Sequence, residues 1–251
     1  MGKVIAVSGK GGTGKTNVSA VLINYLVKKG SGSLLAIDGD PDSNLPQVLG
    51  EEVSKTVGDV REDLLNERDT YAKTTDKQLL LEYKVMGILH EGEKFDLLAM
   101  GRPEGPGCYC SVNHQLRAVI DTLSKNYDMC VVDAEAGLEH MSRRTLRDVD
   151  TMLIVTDASR KGLDTAKRIK KLAEDLEINF KELYVVANKV KDEDRDKINE
   201  RGKELGLEII GMIPFDQIVA DFDLEGRPLT ELPEDSSFLI AVEEIAVKLG
   251  I

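Results

Sequence analysis

Lysines, threonines and glycines lie close together near the amino terminus, in an arrangement that can bind phosphate. They form the run Gly9-Lys10-Gly11-Gly12-Thr13-Gly14-Lys15-Thr16, followed by Asn17. The run fits the pattern G-x-x-x-x-G-K-[ST] between a predicted strand and a predicted helix, where it indicates a phosphate-binding loop. Glycines let backbone N–H groups turn towards phosphate oxygens at a helix start. We therefore predict that Lys15 contacts the β- and γ-phosphates of a nucleotide and that Thr16 ligates magnesium.

Acidic side chains follow two other apolar strands. Asp38 and Asp40 stand where the second predicted strand ends, with Asn44 shortly after, and Asp133 closes another strand. Carboxylates beside a phosphate loop can hold magnesium or its waters and can orient an attacking water. An Asx-rich turn is the alternative interpretation of the segment around Asp38 and Asp40.

Two thiols, Cys108 and Cys110, are separated by one residue in a glycine-rich segment predicted to be a loop between a strand and a helix. The spacing is too short for a complete tetrahedral site in one chain. Two copies related by a twofold axis would present four thiolates, which suit zinc or nickel. A redox-active pair and two incidental cysteines remain alternatives. His114 is a possible extra ligand, whereas Cys130 lies in a Val-rich strand and is predicted to pack as an apolar residue.

Short apolar runs alternate with longer amphipathic stretches, which predicts an α/β fold with a mostly parallel central sheet flanked by helices. The predicted strands cover 3–8, 33–38, 95–100, 129–133, 151–156, 183–188 and 209–213. The predicted helices cover 17–29, 114–125, 160–176, 192–205 and 234–249. We expect a single domain over 1–251, with 51–93 as a surface insertion at the sheet edge that contains helix-like pieces at 57–65 and 77–89.

The amino-acid composition argues against several classes of protein. The 251 residues carry a formal net charge of -12 and three cysteines. The acidic balance argues against a protein that neutralises phosphates along a nucleic acid, and three cysteines do not make a disulfide framework. The amino terminus lacks the apolar run of a signal peptide, and no apolar stretch approaches the roughly 20 residues that span a bilayer. We expect a cytoplasmic protein without a nucleic-acid or membrane partner.

Lys10 adds a feature that a plain phosphate loop does not require. The sequence Lys-Gly-Gly-Thr-Gly-Lys-Thr resembles the deviant Walker A motif of the MinD/ParA/nitrogenase iron protein family of dimeric ATPases. The resemblance implies a P-loop NTPase fold of the SIMIBI/MinD type, ATP hydrolysis, and a homodimer formed on nucleotide or metal binding. It implies that Lys10 reaches the partner's nucleotide in trans and that Asp40 positions the hydrolytic water, with Asp38 as a supporting acid. Asp133 and Gly137 resemble the Walker B and switch II segment.

The same resemblance suggests how the base is held. Family members hold adenine at positions that correspond to Asn188, after one strand, and to Pro214 and Asp216, after the next. By this resemblance Asn188 reads the exocyclic amine and the other two frame the ring. Asn and Pro also end strands without any ligand.

The deviant Walker A motif together with Cys-x-Cys resembles the nickel-binding ATPases that mature carbon monoxide dehydrogenase. This resemblance implies capture of Ni²⁺, with Zn²⁺ possible at the same site, and delivery to apo carbon monoxide dehydrogenase. Two alternatives remain: a MinD/ParA-like positioning ATPase, and an iron–sulfur electron-transfer ATPase of the nitrogenase iron protein type. Against the former, the last predicted helix carries Glu243 and Glu244 with only Lys248, which makes anionic lipid a poor partner. Against the latter, no cysteine follows Asp133.

Overall fold

The computed structural model describes residues 2–66, 76–102, 110–135, 148–175 and 179–251. Within them the chain forms one eight-stranded sheet, ordered β3-β4-β2-β5-β1-β6-β7-β8. All neighbouring strands are parallel except β3, which pairs antiparallel with β4. The strands are β1 (Lys3–Gly9), β2 (Leu34–Asp38), β3 (His90–Glu91), β4 (Asp96–Ala99), β5 (Met129–Asp133), β6 (Asp148–Asp157), β7 (Asn179–Val190) and β8 (Ile209–Pro214).

Helices cover both faces of the sheet. In the described residues they are α1 (Lys15–Lys29), α2 (Leu45–Leu49), α3 (Val57–Asn66), α4 (Lys77–Met86), α5 (Cys110–Ser124), α6 (Arg160–Asp175), α7 (Arg195–Leu205), α8 (Gln217–Glu225) and α9 (Ser237–Lys248). Two 3₁₀ turns, Asp192–Asp194 and Leu229–Glu231, precede α7 and α9.

The central strand β1 shows how the two helical layers are separated. Its side chains alternate between faces, as in any strand. Ile5 and Val7 enter an apolar core shared with α1, α2, α8 and α9. Val4 and Ala6 enter a second core shared with α3, α4, α5 and α6. Because both faces are buried, the strand is a continuous apolar run.

The predicted architecture is confirmed: the seven strands inferred from apolar runs correspond to β1, β2 and β4 to β8. The structure adds the two-residue strand β3 and the short helices α2 and α8. Strand β3 and helix α2 have only two and five residues, too few for a periodic pattern, so the sequence does not reveal them.

The segment 51–93 contains α3, α4 and β3. Strand β3 is an edge strand of the sheet, and the segment also contributes to the core. Val57, Leu81 and Val85 are buried in the core beneath α5, while Leu79 and Tyr83 on α4 are exposed. The segment therefore completes one apolar core and presents polar and apolar side chains outside it.

Candidate functional site: a phosphate loop beside two buried aspartates

The loop between β1 and α1 has the backbone that phosphate binding requires. Gly12 and Gly14 adopt left-handed conformations, with φ of 78° and 88°, which glycine tolerates best. The Thr13 hydroxyl donates to the Lys10 carbonyl over 2.8 Å. Asn188 Nδ2 donates to the Thr13 carbonyl over 2.9 Å. The loop is thereby fixed from β7. It leads directly into α1, and the start of a helix favours an anion.

The two lysines of the loop have different environments. Lys15, the first residue of α1, is only 7% exposed, and its Nζ donates to the Lys10 carbonyl over 3.4 Å. The side chain therefore folds back over the loop. Lys10 is exposed. The Lys15 ammonium, held over the loop, is placed to contact a phosphate bound by the same chain. The exposed Lys10 ammonium can reach a second protein molecule.

Thr16 and Asp133 form a corner suited to magnesium. The Thr16 hydroxyl donates to Asp133 Oδ2 over 2.7 Å, and the Ser19 hydroxyl donates to Oδ1 over 2.9 Å. Burial raises the pKa of Asp133 to about 6, against the lowering effect of these two hydroxyl groups and of Lys15. A hydroxyl and a buried carboxylate in contact are oxygen donors of the kind that magnesium binds beside nucleotide phosphates. These residues therefore fit the ion.

Asp38 lies directly beside that corner, because β2 pairs with β5 and places Asp38 opposite Asp133. Its Oδ1 accepts from the Asp40 N–H and its Oδ2 from the Leu45 N–H, both over 2.9 Å. Burial raises the pKa of Asp38 to about 7, and the nearby Asp133 contributes to that rise. With both oxygens engaged, Asp38 fixes the two ends of the 39–44 loop.

Asp40 is the acidic residue of this loop that faces the cavity. It is partly exposed and lines an open cavity of about 470 Å³ together with Lys15, Thr16 and Asn17. Its Oδ1 accepts from the Asp42 N–H over 3.0 Å. Asp42 also pairs with Arg102, 2.8 Å from Oδ1 to the guanidinium. A carboxylate at the cavity wall can contact a water beside the phosphates, whereas Asp38 acts on the loop itself.

The same cavity extends to residues that the sequence did not suggest. Its wall includes Gln47 and Val48 of α2, Lys189, and Phe222, Asp223, Gly226 and Arg227 at the end of α8. Among the expected base-binding residues, Asn188 is 2% exposed and its Oδ1 accepts from the Lys189 N–H. Pro214 ends β8. Asp216 caps α8 and accepts from Ile218, Ser236, Ser237 and Phe238. Gly137 lies outside the described residues.

Comparison with known proteins identifies the origin of this arrangement. The family model described as the CobQ/CobB/MinD/ParA nucleotide binding domain matches residues 4–229. The chain belongs to this family. An uncharacterized ATP-binding protein of Methanocaldococcus jannaschii is 56% identical over 248 residues, 98% of each chain. The carbon monoxide dehydrogenase accessory protein CooC of Rhodospirillum rubrum is 33% identical over 245 residues, covering 91% of this chain and 89% of CooC.

A solved structure supports the same assignment at the level of the fold. The septum site-determining protein MinD of Pyrococcus horikoshii, complexed with Mg-ADP, superimposes with a TM-score of 0.72 at 22% identity. The match covers 99% of this chain and 96% of MinD. This likeness shows that the chain has the MinD fold, and the family model shows that it carries a nucleotide binding domain.

The thiol pair is only partly within the described structure. Cys108 lies outside the described residues. Cys110 is the first residue of α5, so the helix begins four residues earlier than the periodicity indicated, and Cys110 lies at a helix start and not in the loop. Cys130 is buried in β5 as predicted, and burial raises its thiol pKa well above the usual range. Among the described residues no cluster of three or more His, Cys, Asp or Glu side chains could hold a metal ion.

The described helices also bear on the membrane question. None of them is both long enough and apolar enough to cross a lipid bilayer.

Proposed function

We propose that this protein is an ATP-hydrolysing, dimerising metallochaperone that binds nickel through Cys108 and Cys110 of two chains and helps to insert it into carbon monoxide dehydrogenase. The observation that carries the ATPase part is the contact of Thr16 with buried Asp133 at the mouth of the phosphate loop. Lys15 then holds the phosphates of the bound nucleotide. The relationship to CooC and the Cys-x-Cys sequence support the metal part.

Hydrolysis requires a positioned water and charge stabilisation at the transferred phosphoryl group. In this proposal Asp40, on the cavity wall, orients the water. Exposed Lys10 contacts the partner's nucleotide and stabilises charge that develops in the transition state. When bound, magnesium neutralises the phosphates. Asp38 keeps the loop that carries Asp40 in place through its two backbone hydrogen bonds.

The nickel site would form only in the dimer, because one chain supplies two thiols and a four-thiolate site needs four. The ion pair between Asp42 and Arg102 supports a connection with the nucleotide site. Asp42 is two residues from Asp40, and Arg102 precedes the segment with the thiols. A change of the 39–44 loop on hydrolysis would act on that segment through this contact.

The ATPase proposal is tested by steady-state hydrolysis and nucleotide binding in the Lys10→Ala variant. Lys10 contacts only the partner's phosphates in the transition state, so turnover should fall by roughly 10³-fold or more while ATP affinity stays near the wild-type value. Lys28→Ala is the matched control, because Lys28 is an exposed lysine at the far end of α1. Unchanged turnover in Lys10→Ala would exclude the trans role.

The metal proposal is tested by titrating reduced protein with Ni²⁺ while light scattering measures the mass. We expect one nickel per two chains and a mass that doubles. The double variant Cys108→Ser/Cys110→Ser should lose both effects, and Cys130→Ala, which removes the buried thiol, should retain them. One nickel per monomer, retained in the double variant, would rule out the shared site.

A further inference from the structure

Helix α6 carries a row of basic side chains on the surface of a chain that is acidic as a whole. Its 16 residues include six basic and three acidic ones, so the helix is positive although the formal net charge of the chain is -12. Five of the basic side chains are exposed, and we call them the basic stripe: Arg160, Lys161, Lys167, Arg168 and Lys171. Neither the phosphate loop nor the thiol pair uses these side chains.

The opposite side of α6 is fixed to the sheet. Ala166 and Ile169 are buried in the core that also contains residues of β6. Because a helix repeats every 3.6 residues or so, Arg160, Lys167 and Lys171 lie on one line along the outer side, and the other two members of the stripe lie beside it. With a rise of about 1.5 Å per residue, this line is roughly 16 Å long. The basic stripe is therefore a narrow surface on a firmly packed helix.

The positive charges of the stripe are not neutralised within the described part of the chain. Asp164, which lies between them on the helix, pairs with Arg201 of α7 at 2.9 Å. Asp157, just before the helix, accepts from the N–H and the hydroxyl of Ser159. Arg168 donates to a neighbouring hydroxyl over 2.8 Å. The side chains of the other four members make no ion pair or hydrogen bond with any residue that the structure describes.

The order of charges along α6 is opposite to the one that stabilises a helix. The helix dipole favours acidic side chains in the first turn and basic ones in the last. The first turn of α6 has no acidic residue and begins with Arg160 and Lys161, whereas the last turn has no basic residue and ends with Glu174 and Asp175. A charge pattern that opposes local stability is expected where function requires it. The stripe therefore points to a ligand with negative charge.

We propose that the basic stripe is a docking site for a short acidic segment of a partner protein. Aspartate and glutamate side chains of that segment would pair with the five cations of α6. An extended chain advances by about 3.3 Å per residue, so roughly five residues are enough to span the stripe. The inference goes beyond the proposed function and depends neither on nickel nor on ATP hydrolysis.

The surroundings of the stripe favour a narrow partner over a nucleic acid or a membrane. Glu174 and Asp175 close one end of it. Glu204 of α7 lies at its side, because it pairs with the same Arg201 that contacts Asp164. A duplex or a lipid surface extends well beyond the stripe, so its phosphates would be repelled by these acidic side chains and by the net charge of the chain. A flexible peptide can follow the stripe alone.

The test measures the binding of a fluorescent octaglutamate peptide to the whole chain by anisotropy, with an octaglutamine peptide as the uncharged control. We expect the wild type to bind one octaglutamate per chain, more weakly as salt is added, and to bind octaglutamine far less. Lys167→Glu/Lys171→Glu should weaken octaglutamate binding by roughly tenfold or more, because two attractions become repulsions. Lys167→Gln/Lys171→Gln should weaken it by a smaller factor.

The matched control is Lys28→Glu/Lys29→Glu, which makes the same change of charge elsewhere. These two lysines are exposed at the end of α1, on the opposite face of the sheet from α6. Octaglutamate affinity of this variant should stay within about twofold of the wild type. All of the variants alter exposed side chains, and thermal unfolding verifies that each is folded.

The inference is overturned if the wild type does not bind octaglutamate, or if Lys167→Glu/Lys171→Glu binds it as tightly as the wild type. An equal loss in Lys28→Glu/Lys29→Glu would also overturn it, because binding then reflects only the charge of the whole chain. The same proteins are tested with duplex DNA and with phosphatidylserine vesicles.

Two outcomes would assign the stripe to a different partner and so overturn the proposal. One is that DNA or vesicles bind more tightly than octaglutamate and are lost in Lys167→Glu/Lys171→Glu. The other is that light scattering shows a lower mass for this variant than for the wild type without peptide, because the stripe then contacts a second copy of the chain.

Discussion

Replacement of Asp133 by asparagine should make the protein more stable above neutral pH. It also removes the carboxylate of the proposed magnesium site. Asp133 is 1% exposed, and burial raises its pKa from 3.8 to about 6. Ionisation is therefore harder in the folded state than in the unfolded chain. The difference of about two pH units corresponds to ~3 kcal/mol that the folded wild type loses at high pH.

The pH window follows from the sign of this shift. Below pH 3.8 the carboxyl is protonated in both states and the full stability is present. As the pH rises through 3.8 and then through 6, the unfolded state releases its proton first, so unfolding becomes progressively easier. Asparagine does not ionise. The hydroxyl groups of Thr16 and Ser19 can rotate to accept from or donate to its amide, so the variant keeps these contacts.

The assay is urea unfolding of the wild type and Asp133→Asn at several pH values between 4 and 8.5, without nucleotide and with EDTA. The free energy of unfolding of the variant should exceed that of the wild type by up to ~3 kcal/mol at pH 8 and by little near pH 4. Asp38 amplifies the trend, since Asp133 raises its pKa and the substitution removes that repulsion. A difference between the two proteins that does not change with pH, or a variant less stable than the wild type at pH 8, would refute this reasoning.

Three further substitutions test other parts of the site. Gly9→Ala should leave little folded protein at 37 °C, because a Cβ at Gly9 would lie 2.1 Å from the Val155 carbonyl oxygen; a normal yield and melting temperature would contradict this. Asp216→Ala removes acceptors for one donor at the start of α8 and three at the start of α9, and it should lower the free energy of urea unfolding by roughly 1–3 kcal/mol, whereas a change of a few tenths would refute this role. Arg102→Gln breaks the exposed pair with Asp42 and should change stability by less than ~1 kcal/mol; a larger loss on thermal unfolding would contradict this.

Sequence patterns predict the sheet well because parallel strands buried on both faces are continuous apolar runs. Residues Val4 and Ile5 illustrate this, since the run that predicts β1 sends one of them into each of the two cores. The strand order depends on pairing between distant segments. A single sequence contains no signal for the position of β2 between β4 and β5.

The phosphate end of the candidate site could be predicted because its chemistry is local: Lys15 and Thr16 follow one another in a short motif. Arg227 could not be predicted in this way. Its relation to the cavity depends on the packing of Phe222 and on the way the end of α8 approaches α2, where Gly226 lies against Gln47. The start of α5 at Cys110 was also missed, because the glycine-rich segment before it gives no periodic signal.

The pairing of β2 with β5 and of β5 with β1 has a consequence for the way the protein is made. Gly9, Asp38 and Asp133 end three adjacent strands but are far apart along the chain. A growing chain therefore has no magnesium corner until β5 has left the ribosome and inserted between the two earlier strands. Both cores are completed later still, by residues of β6 and of the strands and helices that follow it, so ATP would recognise only the assembled sheet. Nucleotide binding would then stabilise only fully folded molecules and shift the folding equilibrium towards them.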